Sequence, residues 1–375
     1  MTNKFCIFCG LPPSSKNKEH IIPEWLLNLT GVPNRKGKFG IDFSTGKERE
    51  FSVDSFVFPA CQKCNSEKSN LESKVKNIIL DILDRKEIIA ENFNFLLDWF
   101  DKVRVGVWLG FEQLDKNKMF VPSFYINQRI AMSDRVLVIF DYDGIGNGYT
   151  ISGVDTIIFK FMPSAFLLKI NNFVFMSVSN LFILSKKVGF PIPKKIDITN
   201  MNEFLIKQML ASKNDNITQW FHDDFPFPDL IVGQVIFDAS LAIKNTALYD
   251  KDFIKKMISE EYLIEFEKII NKSTDNMNLK FKTKILQIIN GHFKVNDKKD
   301  LIKWNRTRIK EESITAIELL IHLYKIQFEL YNDSSYKYNS DHKKIIKEIN
   351  KTFHTQTYQI KKSANDFIRK NKKIN

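Results

Sequence analysis

From Leu71 to Leu83 the apolar residues Leu71, Val75, Ile78, Ile79, Ile82 and Leu83 recur at steps of three and four, which places them on one face of an amphipathic helix. Ser69 and Asn70 offer a first turn, and a start just after Cys64 is the alternative. With the earlier start, Asn65 and Lys68 lie on helical backbone. Between residues 100 and 190 the pattern changes to runs rich in β-branched and aromatic residues: VRVGVWLGF, VLVIFDYD, TIIFKFM, AFLLKI, FVFMSV and LFILS. Turn clusters such as Asp143-Gly144-Ile145-Gly146-Asn147-Gly148 separate them, and the pattern predicts a sheet of about five or six strands partly buried by helices.

Pro191 and Pro193 mark a boundary. Beyond it FLIKQMLASK, DFIKKMISEEYLIEFEKII and ITAIELLIHLYKIQFELY read as helices, interrupted by the extended stretch LIVGQVIFDASLAI. From Tyr336 the chain is dense in lysine (Lys343, Lys344, Lys347, Lys351, Lys361, Lys362, Lys370, Lys372 and Lys373, with Arg369) and reads as a solvated helix, a nucleic-acid arm being the sharper alternative. The expected organisation is α+β in three parts: a metal-stabilised N-terminal module over 1–95, a β-rich domain over 96–195 and a mainly helical basic region over 196–375.

Composition changes this picture in two ways. With 56 Lys and Arg against 44 Asp and Glu, the formal charge is +12, a balance that favours polyanionic partners, although an AT-rich coding sequence also enriches lysine. No run of about 18 uncharged apolar residues appears, and the start MTNKFCIFCG lacks a secretory pattern, so a cytoplasmic protein with no membrane segment is expected.

All four cysteines fall in the first 64 residues, as the pairs Cys6/Cys9 and Cys61/Cys64. Disulfide scaffolds distribute their cysteines, whereas two tight C-x-x-C pairs in a reducing compartment suit a tetrahedral ion held by four thiolates. Cys6, Cys9, Cys61 and Cys64 are therefore expected to hold one structural Zn2+, supplying stability that so small a module lacks.

Between the pairs stands Glu19-His20-Ile21-Ile22-Pro23, and after the second pair Asn65-Ser66-Glu67-Lys68. The order CIFCG, EHIIP, CQKCNSEK resembles the HNH, or ββα-metal, endonuclease superfamily over about 70 residues. The resemblance implies a treble-clef-like module that hydrolyses DNA phosphodiester bonds, with His20 as general base and with Glu19 and Asn65 as ligands of a catalytic Mg2+ or Mn2+. The chemistry fits these residue types, because hard oxygen ligands suit such a cation and a neutral imidazole accepts a proton from water. Lys63 and Lys68 would contact phosphate. Nucleases with unfamiliar appended domains resemble restriction or anti-phage effectors, and RNA is the alternative target. A protein partner or a second copy is the alternative occupant for the middle and C-terminal regions.

The sequence departs from the family pattern in two places. Phe56 stands where the middle asparagine belongs, with Asp54 and Ser55 the nearest polar residues, and an insertion from Asn28 to Phe51 carries Arg35, Lys36, Lys38, Lys47 and Arg49. The competing expectation is a catalytically silent zinc-finger module that binds nucleic acid or a protein partner.

Overall fold

The apolar stripe Val75, Ile78, Ile79 and Ile82 is the buried side of a helix running from Gln62 to Leu83, so the helix begins inside the second cysteine pair, with Cys61 as its N-cap. The computed structural model describes residues 5–13, 17–41, 48–52, 54, 56–86, 88–89, 92–114, 122–141, 147–154, 156–180, 191–198, 204–211, 230–235, 284–289, 292–293, 301–302, 312–331, 344, 347, 348, 350–355, 358, 359 and 362. In chain order the elements are β1 (Lys18–His20), α1 (Glu24–Leu29), β2 (Lys36–Ile41), β3 (Glu48–Ser52), β4 (Val57–Pro59), α2 (Gln62–Leu83), β5 (Ile88–Ile89) and α3 (Asn92–Leu114). Next come a single 3-10 turn (Ile126–Gln128), β6 (Asp134–Asp141), β7 (Tyr149–Ser152), α4 (Ile157–Phe161), β8 (Ala165–Ile170) and β9 (Phe173–Asn180). The remainder are β10 (Pro191–Ile198), β11 (Phe204–Ala211), β12 (Leu230–Val235), β13 (Lys284–Ile289), β14 (His292–Phe293), β15 (Leu301–Ile302) and α5 (Glu312–Tyr331).

The architecture is α+β: an N-terminal β/α region carrying the cysteines, a β-rich middle and a C-terminal region with helices. Its centre is a seven-stranded sheet in the order β14-β13-β12-β6-β9-β8-β7, antiparallel except for β12 against β13. Three of the seven strands thus come from beyond Pro191. Side chains alternate across a strand. Leu137 and Ile139 of β6, Phe166 and Leu168 of β8, and Phe173 and Phe175 of β9 join one continuous core with α3, where Phe100 meets Phe166 at 6.0 Å and Phe175 at 5.4 Å between ring centroids. The opposite face, with Val136, Val138, Phe140, Leu167 and Met176, is buried as well.

Three segments differ from the sequence pattern. VRVGVWLGF is not a strand but the second half of α3, a 23-residue helix. Leu96, Leu97, Trp99, Phe100, Val103, Val105, Val107 and Leu109 are all buried, and a helix buried all round loses the polar face that periodicity relies on. TIIFKFM forms the short helix α4, begun by Thr156, whose side chain accepts the backbone N–H of Phe159 at 3.0 Å. FLIKQMLASK, read as helix, is strand β11, paired with β10 in a two-stranded ribbon; its helical spacing was overridden by a long-range partner. ITAIELLIHLYKIQFELY is helical as expected, within α5, and LIVGQV is strand β12. LFILS and DFIKKMISEEYLIEFEKII lie outside the described residues.

α5 docks through an apolar cluster, Tyr324 and Leu320 with Ile158 of α4, and through a buried polar side chain. Gln327 is fully buried, donates to the carbonyls of Gly153 (3.0 Å) and Ala165 (2.7 Å), and accepts from the Thr156 hydroxyl at 3.0 Å. The Thr156 hydroxyl also lies 3.3 Å from the Gly153 carbonyl, so Gln327 joins these groups into one buried polar network.

Candidate metal centre

The four cysteines are brought together by two local devices. Residues 6–10 turn back on themselves, with the Gly10 amide donating to the Cys6 carbonyl at 2.8 Å and the Cys6 amide donating to the Leu11 carbonyl at 2.8 Å. Gly10 has φ +79, and a Cβ there would collide with the Tyr125 ring, so both the backbone and the packing require glycine. The second pair sits at the start of α2, with Cys61 as its N-cap and Cys64 in its first turn. The β1/β4 ribbon, in register Lys18↔Pro59, Glu19↔Phe58 and His20↔Val57, holds the two devices at a fixed distance. The Ile7 amide donates to Pro59 (3.0 Å) and the Ala60 amide to Asn17 (3.0 Å).

The outcome is four sulfurs within 4.8 Å of one another, with Cys9 Sγ 3.9 Å from Cys61 Sγ and no disulfide among them. Metal–sulfur bonds of about 2.3 Å in tetrahedral geometry place sulfurs about 3.8 Å apart, so the cluster has the dimensions of a single ion site. The thiols are electrostatically unequal. Burial pulls Cys6 upward, but backbone N–H donors led by Cys61, whose amide lies 3.2 Å from Cys6 Sγ, outweigh it and hold Cys6 below the ordinary thiol range. Burial and the charges of Cys6 and Cys9 push Cys64 up to about 12. Four such sulfurs crowd one another as anions, and a divalent cation relieves that repulsion.

Glu19, His20 and Asn65 are close to this cluster in the chain but take no part in it. Among the described residues, the one group of His, Cys, Asp and Glu side chains placed to hold a metal ion is the four sulfurs. The expectation of an HNH active site, and with it of a Mg2+- or Mn2+-dependent DNA hydrolase and an anti-phage nuclease, is overturned by that all-sulfur donor set. Glu19 shows the physical reason. Its carboxylate is buried and ion-paired with Lys102 Nζ, which also pairs with Glu72. An ammonium group thus takes the place at Glu19 that the resemblance reserved for a cation. Lys102 is fully buried on α3; burial alone would lower its pKa, but Glu72 and Glu19 more than offset that and raise it, so the lysine stays charged. Burial raises the Glu72 carboxyl, as one cation between two carboxylates leaves one negative charge uncompensated.

The remaining positions fit this arrangement. His20 ends β1 half-exposed, and Asn65 is half-buried in the first turns of α2, its amide bonded to the Cys61 carbonyl at 2.9 Å. Phe56, at the offset of the family's asparagine, is a core residue: it packs edge-on to Phe58 (5.0 Å) and against Gly110 of α3. Asp54 accepts from the Ser52 hydroxyl, and Ser55 lies outside the described residues. Lys63 is exposed, whereas Lys68 is half-buried near Asp98 and Lys102, its pKa lowered by burial. In the insertion, Arg35 is committed internally. It donates to the carbonyls of Leu27 (3.1 Å) and Val32 (2.8 Å) and to the Thr30 hydroxyl (2.8 Å), and it covers the Tyr149 ring at 4.9 Å. Lys36 is exposed, Lys47 lies outside the described residues, and the side chains of Lys38 and Arg49 are not described.

The module is fastened to the rest of the fold by α3. Gly106 and Gly110 form a groove in that helix: a Cβ at Gly106 would lie 2.8 Å from Ile21 Cδ1, and one at Gly110 2.9 Å from Phe58 Cζ. Beyond the far end of α2, Arg85 makes a two-pronged pair with Asp141 of β6, Nε–Oδ2 2.7 Å and Nη2–Oδ1 2.8 Å. Lys102 and Glu72 carry no sequence motif. The available signal was four charged residues, Asp98, Asp101, Lys102 and Arg104, inside the otherwise apolar stretch from Phe95 to Phe111; such charges are buried only when paired. Asp101 does pair with Arg104 (2.7 Å), and Arg135 reaches Asp98 (2.6 Å) and Asp101 (3.1 Å). Compared with known protein families, curated proteins and solved structures, the chain matches none.

Proposed function

We propose that this protein is a catalytically silent nucleic-acid-binding protein built on a structural zinc module. The observation that carries the proposal is the four-sulfur cluster: Cys6, Cys9, Cys61 and Cys64 would together fill the tetrahedral shell of one zinc ion and leave no position for water or substrate. Sulfur donors at this spacing favour Zn2+ over hard cations such as Mg2+. Four unpaired thiols suit a reducing, cytoplasmic setting. The net charge of +12 supports a polyanionic partner, and Lys63, exposed in the first turn of α2, is a candidate phosphate contact. No described helix is long and apolar enough to cross a membrane.

The test pairs metal analysis with a DNA assay. Purified protein should carry about one zinc per chain, retard a DNA duplex in a salt-sensitive manner, and leave supercoiled plasmid intact with Mg2+ or Mn2+. Cleavage that disappears in His20→Ala would overturn the proposal, as would folded protein free of zinc.

A further inference from the structure

The net charge is unevenly distributed. Residues 336–375 contain eleven Lys and Arg against three acids, a net +8 of the chain's +12. Within that stretch positions 344, 347, 348, 350–355, 358, 359 and 362 have helical backbone, and Thr352 and Thr355 donate their hydroxyls to the carbonyls four residues earlier, each at 3.0 Å. Phe353 is buried, stacked on Phe328 of α5 at 4.9 Å and edge-on to Tyr324 at 6.1 Å. In the continuous run 350–355, Lys351 falls about 160° from Phe353 at 100° per residue, and Lys344, Lys347, Tyr358 and Lys362 stand on helical backbone to either side. All five are exposed, Tyr358 at 68%. Glu348 is the one described acid on that side.

We infer that this lysine face, clamped to α5 by Phe353, is the surface that contacts the phosphate backbone of nucleic acid, without regard to sequence. The inference rests on the nucleic-acid role proposed above and locates its main contact away from the zinc module. Charge complementarity selects the partner, and Tyr358 adds a ring among the lysines on which an unpaired base can stack. An anionic membrane also attracts lysine, but helices that lie on membranes insert their apolar face. Here Phe353 is already packed against Phe328 and Tyr324.

The experiment uses the full-length, zinc-loaded chain, a fluorescein-labelled DNA duplex of arbitrary sequence, and anisotropy titrations between about 50 and 200 mM salt. The variant is Lys347→Gln/Lys351→Gln/Lys362→Gln, three exposed positions whose change leaves the Phe353 contact in place. Each lost phosphate contact lowers the slope of log affinity against log salt by about 0.9, so the variant's slope should fall by about 2.7 and its affinity at the lowest salt at least about tenfold. Wild-type binding with no change in the variant would overturn this inference and leave the zinc-module proposal standing. A wild-type chain that binds no duplex at low salt would overturn both. Tighter binding to phosphatidylserine vesicles than to duplex, lost in the same variant, would assign the face to a membrane instead.

Discussion

Replacing Lys102 with methionine removes the ammonium that pairs with both Glu19 and Glu72 while keeping the volume of the side chain nearly constant. Lys102 has no exposed side-chain surface, and Glu19 and Glu72 retain 7% and 19% of theirs, so little water enters to replace the ammonium. Removing one member of a buried ion pair costs about 3–5 kcal/mol, through the charge left behind. A second route bounds the number: a glutamate can escape by taking a proton, which from an ordinary pKa of about 4.3 costs about 3.7 kcal/mol at pH 7 and about 1 kcal/mol at pH 5. The expected loss is therefore about 4 kcal/mol at pH 7 and much smaller at pH 5. The wild type should lose less over that interval, because its Glu72 carboxyl is also raised but Lys102 offsets part of that rise. Its Lys102 pKa is raised, so that contribution is fully present below the ordinary lysine range and is lost only as alkali reaches the folded-state value. In the variant a carboxyl of raised pKa stabilises the fold only while protonated, and its contribution fades as pH rises. Urea unfolding at both pH values, followed by the fluorescence of buried tryptophans such as Trp99, measures the difference. A variant losing under about 1 kcal/mol at pH 7, or losing equally at both pH values, would show that the triad is not a buried charge cluster.

Two further changes probe the metal centre and its seat. Because Cys64 is pushed up to about 12 by burial and by the neighbouring thiolates, zinc uptake should release protons and weaken as pH falls; competition with a chromophoric chelator at several pH values measures this, and a pH-independent affinity would exclude thiolate ligation. Gly110→Ala, which in an exposed helix would gain about 1 kcal/mol, should here lose about 1–3 kcal/mol by driving a methyl into Phe56 and Phe58, and a stability gain in the same unfolding assay would refute the close approach.

The four-cysteine cluster was legible because its parts are local: C-x-x-C spacing and a helix start are encoded within a few residues. The stripe from Leu71 to Ile82 was legible because one face is apolar and the other wet. α3 was not, since burial on every side erased the alternation and left only its β-branched composition. The motif around His20 failed for a different reason. Glu19-His20 is a pair whose meaning depends on what stands across from it, and Lys102 lies 83 residues away on another element. Phe56 carried the local warning, as an aromatic at the family's polar position marks packing rather than chemistry.

The seat of the metal module has a consequence for synthesis on the ribosome. All four cysteines leave the exit tunnel before α3 does, so the ion can be captured early. The surface around the knuckle is then still bare: the Ile7 and Phe8 carbonyls wait for the amides of Ile126 (3.2 Å) and Asn127 (2.9 Å), and Gly10 waits for Tyr125. At about 5–20 residues per second, the roughly 60 residues between Cys64 and Asn127 take several seconds to appear. For that interval the nascent chain displays a greasy face beside the cysteine cluster, and a translational pause before Asn127 would prolong its exposure to chaperones and to aggregation.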